Sequence, residues 1–293
     1  MRDPASVVRS VGGVATRQQL IAAGIDGYAI TRAVRNGSVR RVRQARYVVP
    51  ETSHAAVVAA RVGGRLAGPT AAQSYGLWGG FSRIIHVVVG DHSSRLRTAV
   101  PPSFTTSVWS DRPRARIRLH WMRDGAVPEL GPECWRVDLA TALRQTVRWC
   151  DQETALACLD SALTKLHITR PVLLGMFARE PARSRRLAAL ATVGAESGIE
   201  SLACRRLRRL GLSIVQQAEV SGAGRVDMVI DGWLVVEVDG RTYHQDPDAF
   251  EEDRRRDAEL VARGYTVIRL SYLRVASDWA WCERVVLAAL AQR

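Results

Sequence analysis

The stretch from Gly224 to His244, GRVDMVIDGWLVVEVDGRTYH, constrains this chain more than any other. Two apolar, β-branched runs, Val226 to Ile230 and Leu234 to Val238, flank the turn signal Asp231-Gly232. That pattern predicts a β-hairpin. Both runs are apolar enough to be buried on two faces, yet Asp227, Glu237 and Asp239 sit inside them or at their edge. A carboxylate in a core is costly unless something holds its charge. A hard divalent cation with oxygen ligands is one answer. A structural pair with an arginine is another, and Arg269 on the following strand is placed to make it.

Register decides whether the three acids meet. Side chains two apart on a strand share a face, so Glu237 and Asp239 point the same way. A three-residue connection, Asp231 to Trp233, sets Asp227 opposite Glu237, whereas a two-residue Asp-Gly turn sends it to the other face. We therefore expect the three-residue loop or a bulge.

With Glu200 on a preceding helix, Asp227, the Glu237-Val238-Asp239-Gly240 run, His244, the charged run Phe250 to Asp257 and the strand Tyr265 to Leu270, this region resembles the PD-(D/E)XK nucleases. In particular, it resembles the small domains similar to very-short-patch-repair endonuclease. The likeness covers roughly residues 197–292, and the order helix, strand, strand, strand, helix, strand is that family's. It implies a restriction-endonuclease-like α/β domain over 194–293 that hydrolyses DNA with Mg²⁺ or Mn²⁺. The implied metal ligands are Asp227, Glu237 and the Val238 carbonyl, and the implied catalytic set is Glu200, Asp227, Glu237, Asp239 and His244, with His244 as general acid or base. Its unperturbed pKa near 6.5 suits that role. One departure stands out. The family's usual Lys, two residues after the second carboxylate, is Asp239 here, and the single lysine of the chain is Lys165. A second ion at Asp239 would take over that charge. The zinc site of the very-short-patch enzymes is not carried over, because this region has only Cys204, Cys282 and one His; no structural zinc is expected.

Several of these residues have plainer readings. Ser197 and Glu200 fit the Ser-x-x-Glu capping box, which competes with a catalytic role for Glu200. His244 also reads as a surface-loop histidine. Arg205 and Arg209, on the helix that Glu200 opens, are expected to face outward and clamp phosphate.

The net charge of +13 is unevenly spread. Residues 1–50 hold nine Arg against two Asp, net +7, whereas residues 194–293 hold fourteen Arg against sixteen acids, net −2. A basic segment attracts polyanions, and here the attraction lies outside the nuclease-like region. Asp3-Pro4, Thr16 and Asp26 are caps for three short helices, the last running from Gly27 to about Asn36. Val39 to Val49 then reads as a β-wing around Arg43-Gln44-Ala45. Arg32 and Arg35 on the third helix, with Arg40, Arg41, Arg43 and Arg46 on the wing, make a workable DNA grip. This segment resembles the N-terminal winged-helix domain of AbiEi-type antitoxins.

The expected architecture is α+β and multidomain: a winged helix-turn-helix over 1–52, a mixed and then helical middle domain over 53–193, and the nuclease-like domain over 194–293. Five Cys without a Cys-x-x-Cys pair argue against a disulfide framework. No run of about 18 uncharged apolar residues predicts a membrane span. The opening Met-Arg-Asp-Pro leads into no apolar signal core, so a cytoplasmic protein is expected. DNA is the expected partner. Two readings follow: a metal-dependent DNA endonuclease acting in repair or defence, or a DNA-binding, antitoxin-like regulator whose nuclease fold is inactive.

Overall fold

Local capping chemistry starts the N-terminal helices of the computed structural model, which describes residues 3–91, 93, 96, 97, 116–122, 133–239 and 247–292. Asp3 accepts the Ser6 amide at 3.0 Å and opens α1 (Pro4–Ser10). A reciprocal Thr16–Gln19 box opens α2 (Arg17–Ala22), and Asp26 accepts the Ala29 amide to open α3 (Gly27–Arg35). Each bond satisfies an amide that has no partner inside the helix. The strands β1 (Val14–Thr16), β2 (Arg40–Arg43) and β3 (Arg46–Val48) form an antiparallel sheet in the order β1-β3-β2, with an irregularity between Arg41 and Arg43. Val8, Ala15, Leu20, Ile25, Ile30, Val39 and Tyr47 fill the core between helices and sheet. β1 was not legible in sequence, because three residues are too few to show an alternation.

A second sheet follows in the same unit. After α4 (His54–Val62) come β4 (Arg65–Leu66), α5 (Gly68–Ser74), β5 (Ile85–Gly90) and β6 (Ile117–Met122). β5 pairs antiparallel with β4 and parallel with β6. Gly64 permits the close passage of the chain here, since a Cβ at that position would stand 2.3 Å from the Val88 carbonyl oxygen.

The chain divides into two compact units, residues 1–75 with 82–146 and residues 76–81 with 147–293. This redraws the three domains expected from sequence. The expected middle domain is shared: its sheet, α4, α5 and residues 82–146 join the N-terminal segment, and its helices from residue 147 onward join the C-terminal one. The later helices are α6 (Leu139–Trp149), which crosses that boundary, α7 (Gln152–Lys165), α8 (Arg170–Phe177) and α9 (Ala182–Ala189). The reason lies on α10 (Gly198–Arg208), which packs on α7 around the buried Asp160. Arg205 meets Asp160 with two bonds of 2.9 and 2.7 Å, and Ser201 donates to the same carboxylate. Apolar spacing marks a helix as packed without naming what it packs on.

β7 (Ile214–Val220), β8 (Gly224–Ile230) and β9 (Leu234–Asp239) form an antiparallel meander, and β10 (Thr266–Ser271) pairs parallel with β9, in the order β10-β9-β8-β7. Between β9 and β10 runs α11 (Pro247–Ala262); α12 (Tyr272–Ser277) and α13 (Trp279–Leu290) follow. One face of the sheet carries Met228, Ile230, Leu234, Val236 and Leu270 against Leu202, Leu207 and Val286 of the helices. The other carries Val229 and Val235 against Leu260 of α11. Covering on both faces is why the hairpin runs are apolar throughout. None of the helices among the described residues is long and apolar enough to cross a membrane.

In the first unit, His86 on β5 is buried, with its Nδ1 3.1 Å from His120 Nε2 on β6. Burial, then His120 and Arg118, push its pKa down to about 4. The unfolded chain takes this proton near pH 6.5, before the folded one does. Stability is therefore full above pH 6.5 and falls as pH drops toward 4, by up to roughly 3 kcal/mol from this group. Urea unfolding of the wild type between pH 7 and 4.5 should show that loss, and His86→Gln should show less of it.

Candidate active site

The turn between β8 and β9 has three residues, Asp231 to Trp233, with Ile230 paired to Leu234 and Met228 to Val236. Asp231 and Gly232 take positive φ, 49° and 80°, which lets so short a loop reverse the chain. Continued by one step, this register sets Asp227 opposite Glu237. The strands part there. In place of a backbone partner, the Val238 amide donates to Asp227 Oδ2 at 2.8 Å.

Three acidic side chains gather around this point. Glu200 is 8% exposed and lies in the first turn of α10, with its Oε2 accepting the Glu196 amide at 2.8 Å. Ser197 caps the helix through the Glu200 amide at 3.3 Å. The cap is thus formed, and Ser197 also hydrogen-bonds the Glu200 carboxylate, which lies beside Asp227. Gln217 Nε2 donates to both, at 3.2 Å to Glu200 Oε2 and 3.3 Å to Asp227 Oδ1. Glu237, 5% exposed, stands on the α11 face. Its two oxygens meet Arg256 Nη2 at 2.8 Å and Arg269 Nη2 at 3.2 Å.

Arg269 is the hub of the charges. It lies directly opposite Glu237 on β10, and it also reaches Asp239 at 3.3 Å and Asp257 at 2.8 Å. Burial opposes its charge, but Asp257, Glu237 and Asp239 outweigh that and raise its pKa. Burial raises the pKa of Asp227, against the Val238 and Gln217 hydrogen bonds. Burial also raises that of Glu237, against Arg256 and Arg269. Glu200 is pushed up to about 7, by burial first and by the charge of Asp227 second. Its proton is therefore exchangeable near neutral pH, the range in which a general acid or base works. Among the described residues, no three His, Cys, Asp or Glu side chains form a ready-made metal cage.

Of the expected catalytic residues, Glu200, Asp227, Glu237 and Asp239 all lie at this end of the sheet. His244 lies outside the described residues. Gln217 and Arg256 belong to the cluster and were missed as site residues. Arg256 falls in the charged run from Phe250 to Asp257, but helical spacing alone does not say which of its charges turns to the sheet. Gln217 gave no signal in sequence.

Residues 200–292 match the family REase_MTES_1575. The chain thus carries a restriction-endonuclease-like domain at this site. Residues 2–50 match AbiEi_4, described as a transcriptional regulator, AbiEi antitoxin. No curated protein matches the chain.

The arginines expected to contact DNA have varied surroundings. Arg32, Arg35 and Arg41 are exposed, and Arg40 is half-buried. Arg43 instead donates to the Val62 carbonyl at 2.7 Å, at the end of α4, and Arg46 points to the Cys134 sulfur at 3.5 Å. Arg205 is tied to Asp160, and Arg209 pairs with Glu153. Helix spacing put these side chains at the surface of α10, but that surface is where α7 packs. Tyr28, 76% exposed, was missed. It shares one face of α3 with Thr31, Arg32 and Arg35, at helical spacing. Because Asp160 is buried, Arg205→Ala should cost roughly 3 kcal/mol or more by leaving that carboxylate without its cation. Thermal unfolding of the variant measures this.

Proposed function

We propose that the C-terminal domain is a metal-dependent DNA endonuclease and that residues 1–50 supply much of its DNA affinity. The observation that carries this reading is the convergence of Glu200, Asp227 and Glu237 at the open end of one hairpin, within a restriction-endonuclease-like segment. A bound Mg²⁺ or Mn²⁺ would polarise a phosphoryl oxygen and ease ionisation of the attacking water. Glu200 and Asp227 fit such an ion. Glu200 is buried and Asp227 half-buried, both accept from the neutral Gln217 amide, and Mg²⁺ needs one or two carboxylates while keeping several waters. The Val238 carbonyl adjoins them along the strand. Glu237 fits once Arg256 releases it, and Arg256 has other acceptors in the Ala223 and Arg225 carbonyls.

The side chains then divide the work. Asp227 and Glu237 carry the negative charge that holds the cation. Glu200 shares the cation with Asp227. Arg269, anchored on Glu237, Asp239 and Asp257, stands where the family's lysine is absent and supplies a fixed positive charge for the scissile phosphate. His244, by resemblance, is a group for proton transfer. In the N-terminal segment, α3 and the β2–β3 hairpin have the layout of a winged helix. Tyr28, Arg32 and Arg35 would face the major groove, and Arg41 the backbone.

The other reading, an antitoxin-like DNA-binding regulator with a silent nuclease fold, draws on the AbiEi match and on the two guanidiniums already seated on Glu237. Cleavage separates the two. Purified protein incubated with labelled duplex, single-stranded and mismatched DNA should cut at least one of them with Mg²⁺ or Mn²⁺ and none with EDTA. Asp227→Ala should abolish cutting and leave DNA affinity near the wild-type value; full activity in that variant would remove the site assignment. The attachment reading has its own measurement. Replacing Arg32, Arg35 and Arg41 with Ala should flatten the salt dependence of binding by about one unit of slope per lost phosphate contact. An unchanged slope would turn this face toward some other partner.

A further inference from the structure

Gln217 is the one described residue whose backbone and side chain both depart from what its strand asks of it. It lies in the middle of β7 with φ 49°. Ala45, His167 and Asp231, the other non-glycine residues with positive φ among those described, all lie outside strands. The left-handed region is unfavourable for a residue with a Cβ, and such conformations persist where the surroundings impose them. The pairing of β7 with β8 shows the consequence. Gln216 pairs with Met228 and Ala218 with Val226, while Gln217 and Asp227 between them drop out of the ladder. The alternation of faces also breaks there. Ile214 packs in the cluster on the α10 side and Ala218 in the cluster on the α11 side, although residues four apart on a regular strand share a face. Met228 and Val226 show the same reversal on β8.

This distortion puts one amide nitrogen between a buried and a half-buried carboxylate, 3.2 Å from Glu200 and 3.3 Å from Asp227. An arginine or lysine at that place would cancel the charge of the pair. An apolar side chain would leave the two to repel each other apart. A carboxamide does neither: it holds two acids from separate elements at a fixed spacing and leaves their charge available. We infer that Gln217 is a positioning residue, held in a strained conformation so that its amide presets Glu200 and Asp227 as a joint seat for a divalent cation. This rests on the metal-dependent reading given above.

Full-length Gln217→Gly tests it, because glycine accepts the positive φ while lacking the amide. Binding of Mn²⁺ is measured by calorimetry and stability by urea unfolding without metal. The expected result is a higher urea midpoint, from relief of the backbone, together with Mn²⁺ binding weakened roughly tenfold or more, the usual scale for losing a partner behind a metal ligand. Gln217→Asn also tolerates this φ but falls one methylene short of bridging the two acids, so it should weaken Mn²⁺ binding as well. It carries the test if the glycine variant fails to fold. Mn²⁺ affinity within twofold of wild type in the folded variants, with a lowered urea midpoint, would mark Gln217 as a structural residue and overturn the inference. A wild type that binds no Mn²⁺ would overturn the metal reading and this one with it; wild-type binding with unaltered variants overturns this one alone.

Discussion

A carboxylate buried in a sheet must meet donors or cations, and the C-terminal domain is arranged around that demand. Glu237 lies on a strand that is covered on both faces, so water cannot solvate it. Arg269 from the parallel neighbour and Arg256 from α11 take its two oxygens. Those contacts fix which face of α11 turns to the sheet and tie β10 to β9 beyond their ladder. The same guanidinium of Arg269 gathers Asp239 and Asp257. The result is an ionic layer on one side of Glu237.

Asp227 and Glu200 answer the demand differently. Among the described residues, they receive hydrogen bonds from the amides of Val238, Gln217 and Glu196 and from Ser197, and none from a guanidinium. Hydrogen bonds from neutral donors satisfy oxygen lone pairs without removing charge. That leaves Glu200 titrating about 7, beside a second acid. One end of the site is therefore neutralised within the fold, and the other retains a need for positive charge. A site with that asymmetry suits a cation on the Asp227 side and a phosphate near the arginines. In the N-terminal unit, Arg32 and Arg35 of α3 and Arg41 of the hairpin after it are exposed.

Much of this was legible before any fold was known. The β8–β9 hairpin and its three-residue turn follow from spacing and side-chain parity. The N-terminal helices follow from Asp3, Thr16 and Asp26, since a cap is a contact between residues three apart. Arg43, Arg46 and Arg205 were read as solvent-facing, because spacing distinguishes an inner from an outer face only while a helix or strand has one neighbour. Each of these arginines meets an element far away in sequence: the end of α4, Cys134, and Asp160 of α7. The grouping of helices 147–193 with the C-terminal unit was not legible for the same reason, since they carry no mark of the surface that receives them.

Sequence by itself determined which side chains were too costly to bury alone: Asp227 and Glu237 within apolar runs, and the arginine excess of the first fifty residues. It determined them because hydrophobic periodicity and turn chemistry are local. Tertiary structure alone decided what answers each charge. Gln217 reaches Glu200 and Asp227 only because β7 leaves the regular strand conformation at that residue. Arg256 reaches Glu237 only because α11 crosses the sheet at that height. Both contacts join elements whose relative placement is set by packing of the whole domain, and no short-range pattern of residues encodes it.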